Sequence, residues 1–228
     1  MTIEALKGEQ IFIQGKGNIP NERFLFVNGM ITSQEKARSE ADLLSWVHGD
    51  VNVYCAYDST KGLCRDLIEA AQLTAGYQTE GSERVALAVK YLLGQMEAET
   101  PGEEHTLHII GHSKGGLTVE RMLDLLEPEE KQQLDIKLVG SPAVIAPDTV
   151  KSVLSYRATL DYIHHLGIEP DGDMPVKMVP TLGETWMDKL MNTHKWFYPT
   201  FMSGFLQKEG DAFLSAHPAP SLPMDQHA

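Results

Sequence analysis

The sequence predicts an α/β protein whose mostly parallel central sheet is covered by helices on both faces. Short apolar runs alternate along the chain with longer segments in which apolar residues recur at helical spacing. The runs are nearly continuous, which is typical of strands buried on both faces of a parallel sheet. The chain has 228 residues, 42% of them hydrophobic and 22% charged, which is an ordinary globular composition. We therefore expect one domain over residues 1–216 and a flexible, proline-rich tail over 217–228.

Seven apolar runs are predicted to form the strands. They are Ile11–Ile13, Phe24–Val27, Val51–Tyr57, Leu107–Ile110, Ile136–Val139, Val150–Leu154 and Val176–Val179. Turn residues separate them: Gly15 and Gly17 close the first run, and Asn28–Gly29 ends the second.

Segments with helical spacing are predicted between these strands. The first helix is expected to begin at a capping box formed by Thr32 and Glu35 and to stop at His48–Asp50. The other helices are expected over Leu67–Leu73, over Ser82–Met96, after Gly116 with Pro128 beyond its end, and over Pro199–Leu206. The alternation of strand and helix is what a parallel sheet requires.

The formal net charge of −13 disfavours binding to negatively charged macromolecules and surfaces. An acidic protein repels phosphate backbones and anionic lipid surfaces, so we expect no nucleic-acid partner. Met1–Gln10 lacks the basic and apolar regions of a signal peptide, and no apolar run approaches the roughly 20 residues of a membrane span. The expected location is cytoplasmic, with secretion by a signal-less route left open.

The chain contains two cysteines, Cys55 and Cys64. Such sparse use suits a reducing compartment, in which both would be free thiols. A disulfide that closes the short loop between them is left open.

The strongest motif is Gly111-His112-Ser113-Lys114-Gly115, which lies between a predicted strand and a predicted helix. A serine that must project from a sharp strand-to-helix turn has a strained backbone, and side chains two positions away on either side would collide. Glycine removes that collision. The amino terminus of the following helix also favours negative charge next to the serine. The pattern predicts that Ser113 is a nucleophile.

The segment from Leu107 to Leu117 resembles the nucleophile elbow of lipases and esterases in the α/β-hydrolase superfamily, which commonly reads G-H-S-x-G-G. The strand order is similar to that superfamily from about residue 10 to residue 207. The resemblance implies a serine hydrolase that cleaves carboxylic esters through a Ser-His-Asp triad and an acyl-enzyme, without metal or cofactor. Thioesterase or peptidase chemistry on the same triad, and a non-catalytic binding module, remain alternatives.

Acyl transfer also needs backbone N–H groups that stabilise the oxyanion. The first expected donor is the N–H of Lys114, which follows the nucleophile, and the second is the N–H of Met30 in the loop after an earlier strand. Gly29 would let that loop approach Ser113 closely. Asn28 stands where members of the superfamily often have histidine.

The acid and the histidine are expected after Ser113, in that order. Asp161 follows a late strand, and its surroundings resemble the S-x-x-D stretch of lipases with additional residues between the serine and the aspartate. Asp148 is the alternative acid. A buried carboxylate at either position would hold the histidine tautomer and stabilise the imidazolium.

His194 is the expected histidine because it follows the last strand, and with Tyr198 it resembles the H-x-x-x-Y pattern of lipase carboxyl termini. His217 is the alternative base. The neighbouring His164 and His165 are expected to be ordinary loop residues rather than metal ligands.

The segment between Gly140 and Val150 is too short for the large cap domain that relatives often insert there. Apolar residues around His194 predict either an acyl pocket or lid, or plain packing of the last helix. They are Trp186, Met187, Met191, Trp196, Phe197, Phe201, Met202 and Phe205. Asp58–Ala75 is a second lid candidate. A small-molecule or lipid-like acyl substrate is expected, and the oligomeric state is left open.

Overall fold

A computed structural model describes residues 11–158, 175–179 and 205–217 of the chain. All seven predicted strands are present in it and form one sheet. They are β1 (Ile11–Gln14), β2 (Glu22–Val27), β3 (Val53–Ala56), β4 (Thr106–His112), β5 (Leu134–Val139), β6 (Ser152–Ala158) and β7 (Val176–Val179). The spatial order is β1-β3-β2-β4-β5-β6-β7. β1 pairs antiparallel with β3, and the other neighbouring strands are parallel.

Six α-helices are described, and they lie between or after the strands. They are α1 (Gln34–Val47), α2 (Leu63–Thr74), α3 (Glu80–Glu99), α4 (Lys114–Met122), α5 (Pro128–Lys131) and α6 (Gln207–Ala216). Short 3-10 turns cover Leu123–Leu125 and Pro147–Thr149. No cap domain interrupts the chain between Gly140 and Val150, as expected.

Two apolar cores form because consecutive strand side chains point to opposite faces of the sheet. In β2, Phe24 and Phe26 face the core shared with α1 and α6, whereas Leu25 and Val27 face the core shared with α2, α3 and α4. All four side chains are buried. Burial on both faces explains why the strand sequences are nearly continuous apolar runs.

The first residue of α1 differs from the prediction. Ser33 caps this helix, and its Oγ accepts a hydrogen bond from the Lys36 N–H at 3.2 Å. The Thr32 hydroxyl instead donates to the Met30 carbonyl, also at 3.2 Å. The capping residue therefore lies one position later, because Thr32 belongs to the loop that holds Met30.

The last described helix, α6, lies beyond the predicted Pro199–Leu206, of which only Phe205 and Leu206 are described. It packs on α1 through Gly210, where an added Cβ would lie 2.5 Å from the Val47 carbonyl oxygen. A glycine adds no apolar side chain to a helical pattern, so this contact could not be read from the sequence. The tail predicted after His217 lies outside the described residues.

The strand order places a crevice between β2 and β4 at the carboxyl-terminal edge of the sheet. After β2 the chain moves outward to β3, whereas β4 lies on the other side of β2. Loops that leave neighbouring parallel strands in opposite directions open a crevice, where ligands bind in α/β proteins. The loop after β2 begins at Asn28 and the turn after β4 contains Ser113, so both face this crevice.

Candidate active site

Ser113 lies at the turn between β4 and α4 with a backbone conformation that few residues other than glycine adopt. Its φ is +55° and its ψ is −125°. A non-glycine residue held in such a region costs on the order of 1–3 kcal/mol and persists only where the surroundings enforce it. The Ser113 N–H donates to the Val139 carbonyl oxygen at 3.0 Å, and the residue is 3% exposed.

The glycines of the motif are required by backbone packing. A Cβ at Gly115 would lie 2.3 Å from the Val27 carbonyl oxygen, and one at Gly111 would lie 2.9 Å from the Gly116 Cα. A Cβ at Gly116 would lie 2.1 Å from the Ser141 Oγ. The first residues of α4 therefore press against β2, β4 and the turn after β5 in a way that other residues would prevent.

The loop after β2 approaches Ser113 closely. A Cβ at Gly29 would lie 2.9 Å from the Ser113 Cβ and 3.3 Å from the His112 carbonyl oxygen. Met30, Ser113 and Lys114 line one cavity. Lys114 is the first residue of α4, so its N–H has no acceptor within the helix. The structure thus brings together Ser113 and the two residues predicted to donate to an oxyanion.

Asn28 fixes the start of this loop through its side chain. The Asn28 Oδ1 accepts from the Asp58 N–H at 2.8 Å, and its Nδ2 donates to the Asp58 carbonyl oxygen at 3.1 Å and to the Gly29 carbonyl oxygen at 2.9 Å. Asn28 is fully buried. The amide therefore joins the loop after β2 to the loop after β3.

The far end of the same loop is fixed by Asp66 on α2. The Asp66 carboxylate accepts from the Ile31 N–H at 3.3 Å, from the Lys61 N–H at 3.0 Å and from the Thr60 hydroxyl at 2.7 Å. Burial alone would raise the pKa of Asp66, but these hydrogen bonds hold it below its ordinary value. Ile31 has a φ of +53°. Met30 consequently lies between two anchored residues.

The side chain of Lys114 is buried beside the nucleophile, a role that the sequence analysis missed. Its Nζ lies 2.6 Å from the Asp58 carboxylate and 3.0 Å from that of Glu69. Burial alone would lower the pKa of Lys114, but the two carboxylates raise it above its ordinary value, so the ammonium stays charged. Arg84 lies 3.8 Å from the other Asp58 oxygen. A polar residue directly after a buried parallel strand was the signal that could have identified Asp58.

A cavity of about 400 Å³ opens above Ser113. Apart from Ser113 and Lys114, its lining is mostly apolar and small. The remaining lining residues are Met30, Leu67, Ala70, Ala71, Thr74, Ala75, Leu117 and Pro142. Five of these belong to α2 or follow it directly, so part of the predicted lid segment Asp58–Ala75 forms a wall of the cavity. The volume is that of a pocket for a small organic molecule.

The predicted acid and histidine, Asp161 and His194, both lie outside the described residues. The structure gives the strand that precedes Asp161: β6 ends at Ala158, at the same edge of the sheet as Ser113. The histidines at 164 and 165 and most of the apolar residues around His194 also lie outside the described ranges.

The alternative residues lie at the opposite edge of the sheet. The His217 Nε2 lies 3.0 Å from Glu22 at the start of β2, and the register pairs Glu22 with Thr106, at the start of β4. β4 rises about 20 Å over its seven residues, so His217 lies far from Ser113. Asp148 is held near the start of β5, where its carbonyl oxygen accepts from Gln132 at 3.5 Å. Neither residue reaches the serine.

The described residues hold few features that point to other classes of function. None of their helices is long and apolar enough to span a membrane. No three of their histidine, cysteine, aspartate or glutamate side chains are grouped to hold a metal ion. Cys55 is buried in β3, Cys64 is exposed on α2, and both are free thiols.

No family model matches the chain, and no curated protein matches it in sequence. Solved structures do match its fold. A thermophilic carboxylesterase cloned from a metagenomic library has a TM-score of 0.54 at 11% identity, with 90% of this chain and 83% of that chain covered. Carboxyl esterase 2 from the mycorrhizal fungus Tuber melanosporum has a TM-score of 0.53 at 12% identity, covering 90% and 81%.

An arylesterase is also similar, with a TM-score of 0.50 at 13% identity over 88% of this chain and 80% of that chain. Identities this low establish a shared fold only. That fold is the α/β-hydrolase fold, which confirms the fold predicted from the sequence.

Proposed function

We propose that this α/β-hydrolase-fold protein is a serine hydrolase that cleaves carboxylic esters, with Ser113 as its nucleophile. The observation that carries the proposal is the left-handed Ser113, held at the first turn of α4 and opening into an apolar cavity beside Gly29 and Met30. A strained serine at this point of the fold is a feature of the nucleophile elbow.

The proposed reaction has two steps. His194, oriented by Asp161, takes the proton of the Ser113 hydroxyl while the serine oxygen attacks the ester carbonyl carbon. The N–H groups of Met30 and Lys114 stabilise the resulting oxyanion. The carbon–oxygen bond to the alcohol breaks, and His194 protonates that alcohol. Water, deprotonated by His194, then attacks the acyl-enzyme and releases the carboxylic acid and the free serine.

Three observations support this assignment of roles. Ser113, Met30 and Lys114 line one cavity. The rivals of Asp161 and His194, namely Asp148 and His217, are held at the opposite edge of the sheet. β6 ends at the correct edge three residues before Asp161.

The cavity favours an uncharged acyl group. Its described walls include alanines, leucines and a proline, and the ammonium of Lys114, which lines it, is already paired with two carboxylates. The net charge of −13 also disfavours anionic substrates at long range. The proposed substrate class is therefore a neutral ester of a small or lipid-like acyl group.

A panel of p-nitrophenyl esters with acyl chains of two to twelve carbons tests the proposal. Wild-type turnover should fall at least about 10⁴-fold in Ser113→Ala, since removing the nucleophile of a triad abolishes covalent catalysis. Ser39→Ala, an exposed serine on α1, is the matched control and should keep wild-type activity. A thioester and a peptide anilide in the same panel distinguish the related activities.

The proposed partners are tested in parallel. His194→Ala and Asp161→Asn should each lower kcat by about 10³-fold or more. Turnover that survives Ser113→Ala, or that is lost in Asp148→Asn or His217→Ala instead, would overturn the assignment. A wild-type protein without turnover on any of these esters would favour a binding module.

A further inference from the structure

The two proposed oxyanion donors belong to separate loops. Met30 follows β2 and Lys114 begins α4, and more than eighty residues of chain separate them. Two donors stabilise one oxyanion only if they are held in a fixed geometry relative to each other. A contact between the two loops must therefore fix the distance between the Met30 and Lys114 N–H groups.

Asp58, two residues after the end of β3, contacts both loops. Its backbone N–H and carbonyl are both paired with the Asn28 side chain, at 2.8 Å and 3.1 Å. Asn28 in turn donates to the carbonyl of Gly29, the residue before Met30. The backbone of Asp58 thus fixes where the first donor loop starts.

The carboxylate of Asp58 contacts the second loop. One oxygen lies 2.6 Å from the Lys114 Nζ, and both residues are more than nine-tenths buried. Arg84 approaches the other oxygen at 3.8 Å. The carboxylate also lies at the amino terminus of α3, within 3.4 Å of where a Cβ on Gly81 would be. An anion is favoured at that position.

The stability that the Asp58–Lys114 ion pair contributes to the fold does not by itself explain its presence. A buried ion pair is often no more stabilising than apolar residues of the same volume. Lysine is also disfavoured in the first turn of a helix, because the helix dipole places positive charge there. Lys114 occupies that turn in α4. Lys114 is therefore buried at a position that local structure disfavours, and the Asp58 carboxylate is the group that holds it there at 2.6 Å.

We propose that Asp58 is a positioning residue that couples the two oxyanion donors, holding the Met30 loop through Asn28 and the elbow through the Lys114 side chain. The inference rests on the proposed function, because it assigns Asp58 a role in the reaction of Ser113. Asp58 touches no reacting atom in this account, and it acts only through its two neighbours.

The chain offers a matched pair of variants. Asp58→Asn and Glu69→Gln each remove one carboxylate from Lys114 and keep the shape of the side chain. Asp58→Asn leaves the backbone bonds to Asn28 possible but removes the negative charge that holds Lys114, and with it the elbow, to the Met30 loop. Glu69 lies on α2, outside both donor loops, so its loss leaves their connection in place.

The readouts are kcat and KM for the best ester of the panel and the inhibition constant of a trifluoromethyl ketone, whose adduct places a negative oxygen in the oxyanion hole. Asp58→Asn should lower kcat about 10- to 100-fold, change KM less than about 3-fold, and weaken the ketone in parallel with kcat/KM. Glu69→Gln should change each quantity less than about 3-fold. If Asp58 served only to stabilise the fold, Asp58→Asn would lower the melting temperature but would not change kcat and the inhibition constant together.

Asn28→Ala tests the other half of the connection and should reduce kcat to a similar extent. Because both changes break one connection, the Asn28→Ala/Asp58→Asn double variant should lose much less than the product of the single losses. If Asp58→Asn does not fold, Asp58→Leu with Lys114→Met removes both charges together and should fold with the same loss of kcat.

The outcomes separate the two proposals. Two results would overturn this inference but leave the proposed function intact, provided that the wild-type protein turns over esters. In the first, Asp58→Asn has an unchanged kcat and inhibition constant. In the second, Asp58→Asn and Glu69→Gln lose activity equally. A folded double-charge variant with wild-type kcat would overturn it as well. A wild-type protein without Ser113-dependent turnover would overturn the proposed function and this inference with it.

Discussion

The two edges of the sheet both collect ionisable side chains, yet they differ in what surrounds them. At the amino-terminal edge, His108 lies between Glu22 and Asp135, with its ring nitrogens 3.0 Å and 2.8 Å from their oxygens, and His217 lies 3.0 Å from the other Glu22 oxygen. At the carboxyl-terminal edge, Ser113 has a left-handed backbone, Gly29 lies against it, and an apolar cavity opens above both.

Titratable groups with shifted pKa values are therefore not enough to identify the candidate site. Burial would lower the pKa of His108, but its contacts with Asp135 and Glu22 raise it above its ordinary value, and both ring nitrogens belong to this network. Shifted pKa values accompany such ion-pair networks as well as active sites. At the other edge the informative features are the strained backbone of Ser113 and the close approach of Gly29 to it, next to an apolar cavity.

The largest expected effect is at the carboxyl-terminal edge. Gly29→Ala would place a Cβ 2.9 Å from the Ser113 Cβ, so the loop that carries Met30 must move away. Losing one oxyanion donor lowers kcat about 10²- to 10³-fold, and we expect a loss of that size. The kcat of Gly29→Ala for ester hydrolysis, compared with that of the wild type, measures this loss.

Gly94→Ala is the matched control, because an added Cβ there meets no atom within 4 Å. Gly94 is exposed in the interior of α3, so alanine should raise stability by about 0.5–1 kcal/mol without changing kcat. Equal turnover in the two variants would show that the approach of Gly29 to Ser113 has no role in the reaction.

The second prediction concerns Glu40, a fully buried acid on α1 whose Lys36 partner lies 3.7 Å away. Burial raises its pKa to about 7, against the opposing effect of Lys36. Because the native pKa lies above the unfolded value of 4.5, the cost of ionising Glu40 is absent below pH 4.5 and complete above about pH 7. Glu40→Gln should therefore add about 3 kcal/mol at pH 8 and little at pH 4.5, with unchanged kcat.

Denaturant unfolding of both proteins at the two pH values measures this difference. A gain that does not grow with pH would contradict it. A large loss of ester turnover in Glu40→Gln would mean that this buried acid contributes to the reaction, which the position of the candidate site at the carboxyl-terminal edge does not predict.

The third prediction tests the amino-terminal edge. His108→Gln removes a charge that pairs with two carboxylates and should cost about 2 kcal/mol near pH 6. Because the native pKa of His108 is raised, its contribution is complete below pH 6.5 and is lost as the pH rises through the native value. The stability gap between wild type and variant should thus narrow from pH 6 to pH 9, while kcat stays unchanged. Chemical denaturation across that range provides the measurement.

The smallest effect is expected at His217, which is half-buried and pairs with Glu22. A partly exposed pair of this kind contributes less than about 1 kcal/mol. His217→Ala should shift the unfolding midpoint slightly and leave ester turnover within about twofold of wild type. A drop of tenfold or more would contradict its position at the edge opposite to Ser113.

The sequence predicted the features that depend on local pattern. Apolar runs located all seven strands, and Gly111, Gly115 and Gly116 marked a turn whose close packing the structure confirms. These features are visible because each rests on a few consecutive residues.

Features that depend on distant residues were missed. The contacts among Asn28, Asp58 and Lys114 join three loops that only the folded sheet brings together. The capping residue Ser33 was displaced by one position because Thr32 bonds to the Met30 loop. The last helix was predicted at Pro199–Leu206, whereas the described helix over Gln207–Ala216 packs on α1 through Gly210, a contact that a sequence pattern does not show.

Covalent labelling of Ser113 tests the central claim most directly. The wild-type protein is treated with a fluorophosphonate, which reacts with activated serines, and the adduct is located by intact mass and peptide mapping. We expect one adduct per chain on the peptide that contains Ser113, formed more slowly with a competing ester and absent in Ser113→Ala. An unlabelled wild-type protein, or an adduct that persists in Ser113→Ala, would contradict it.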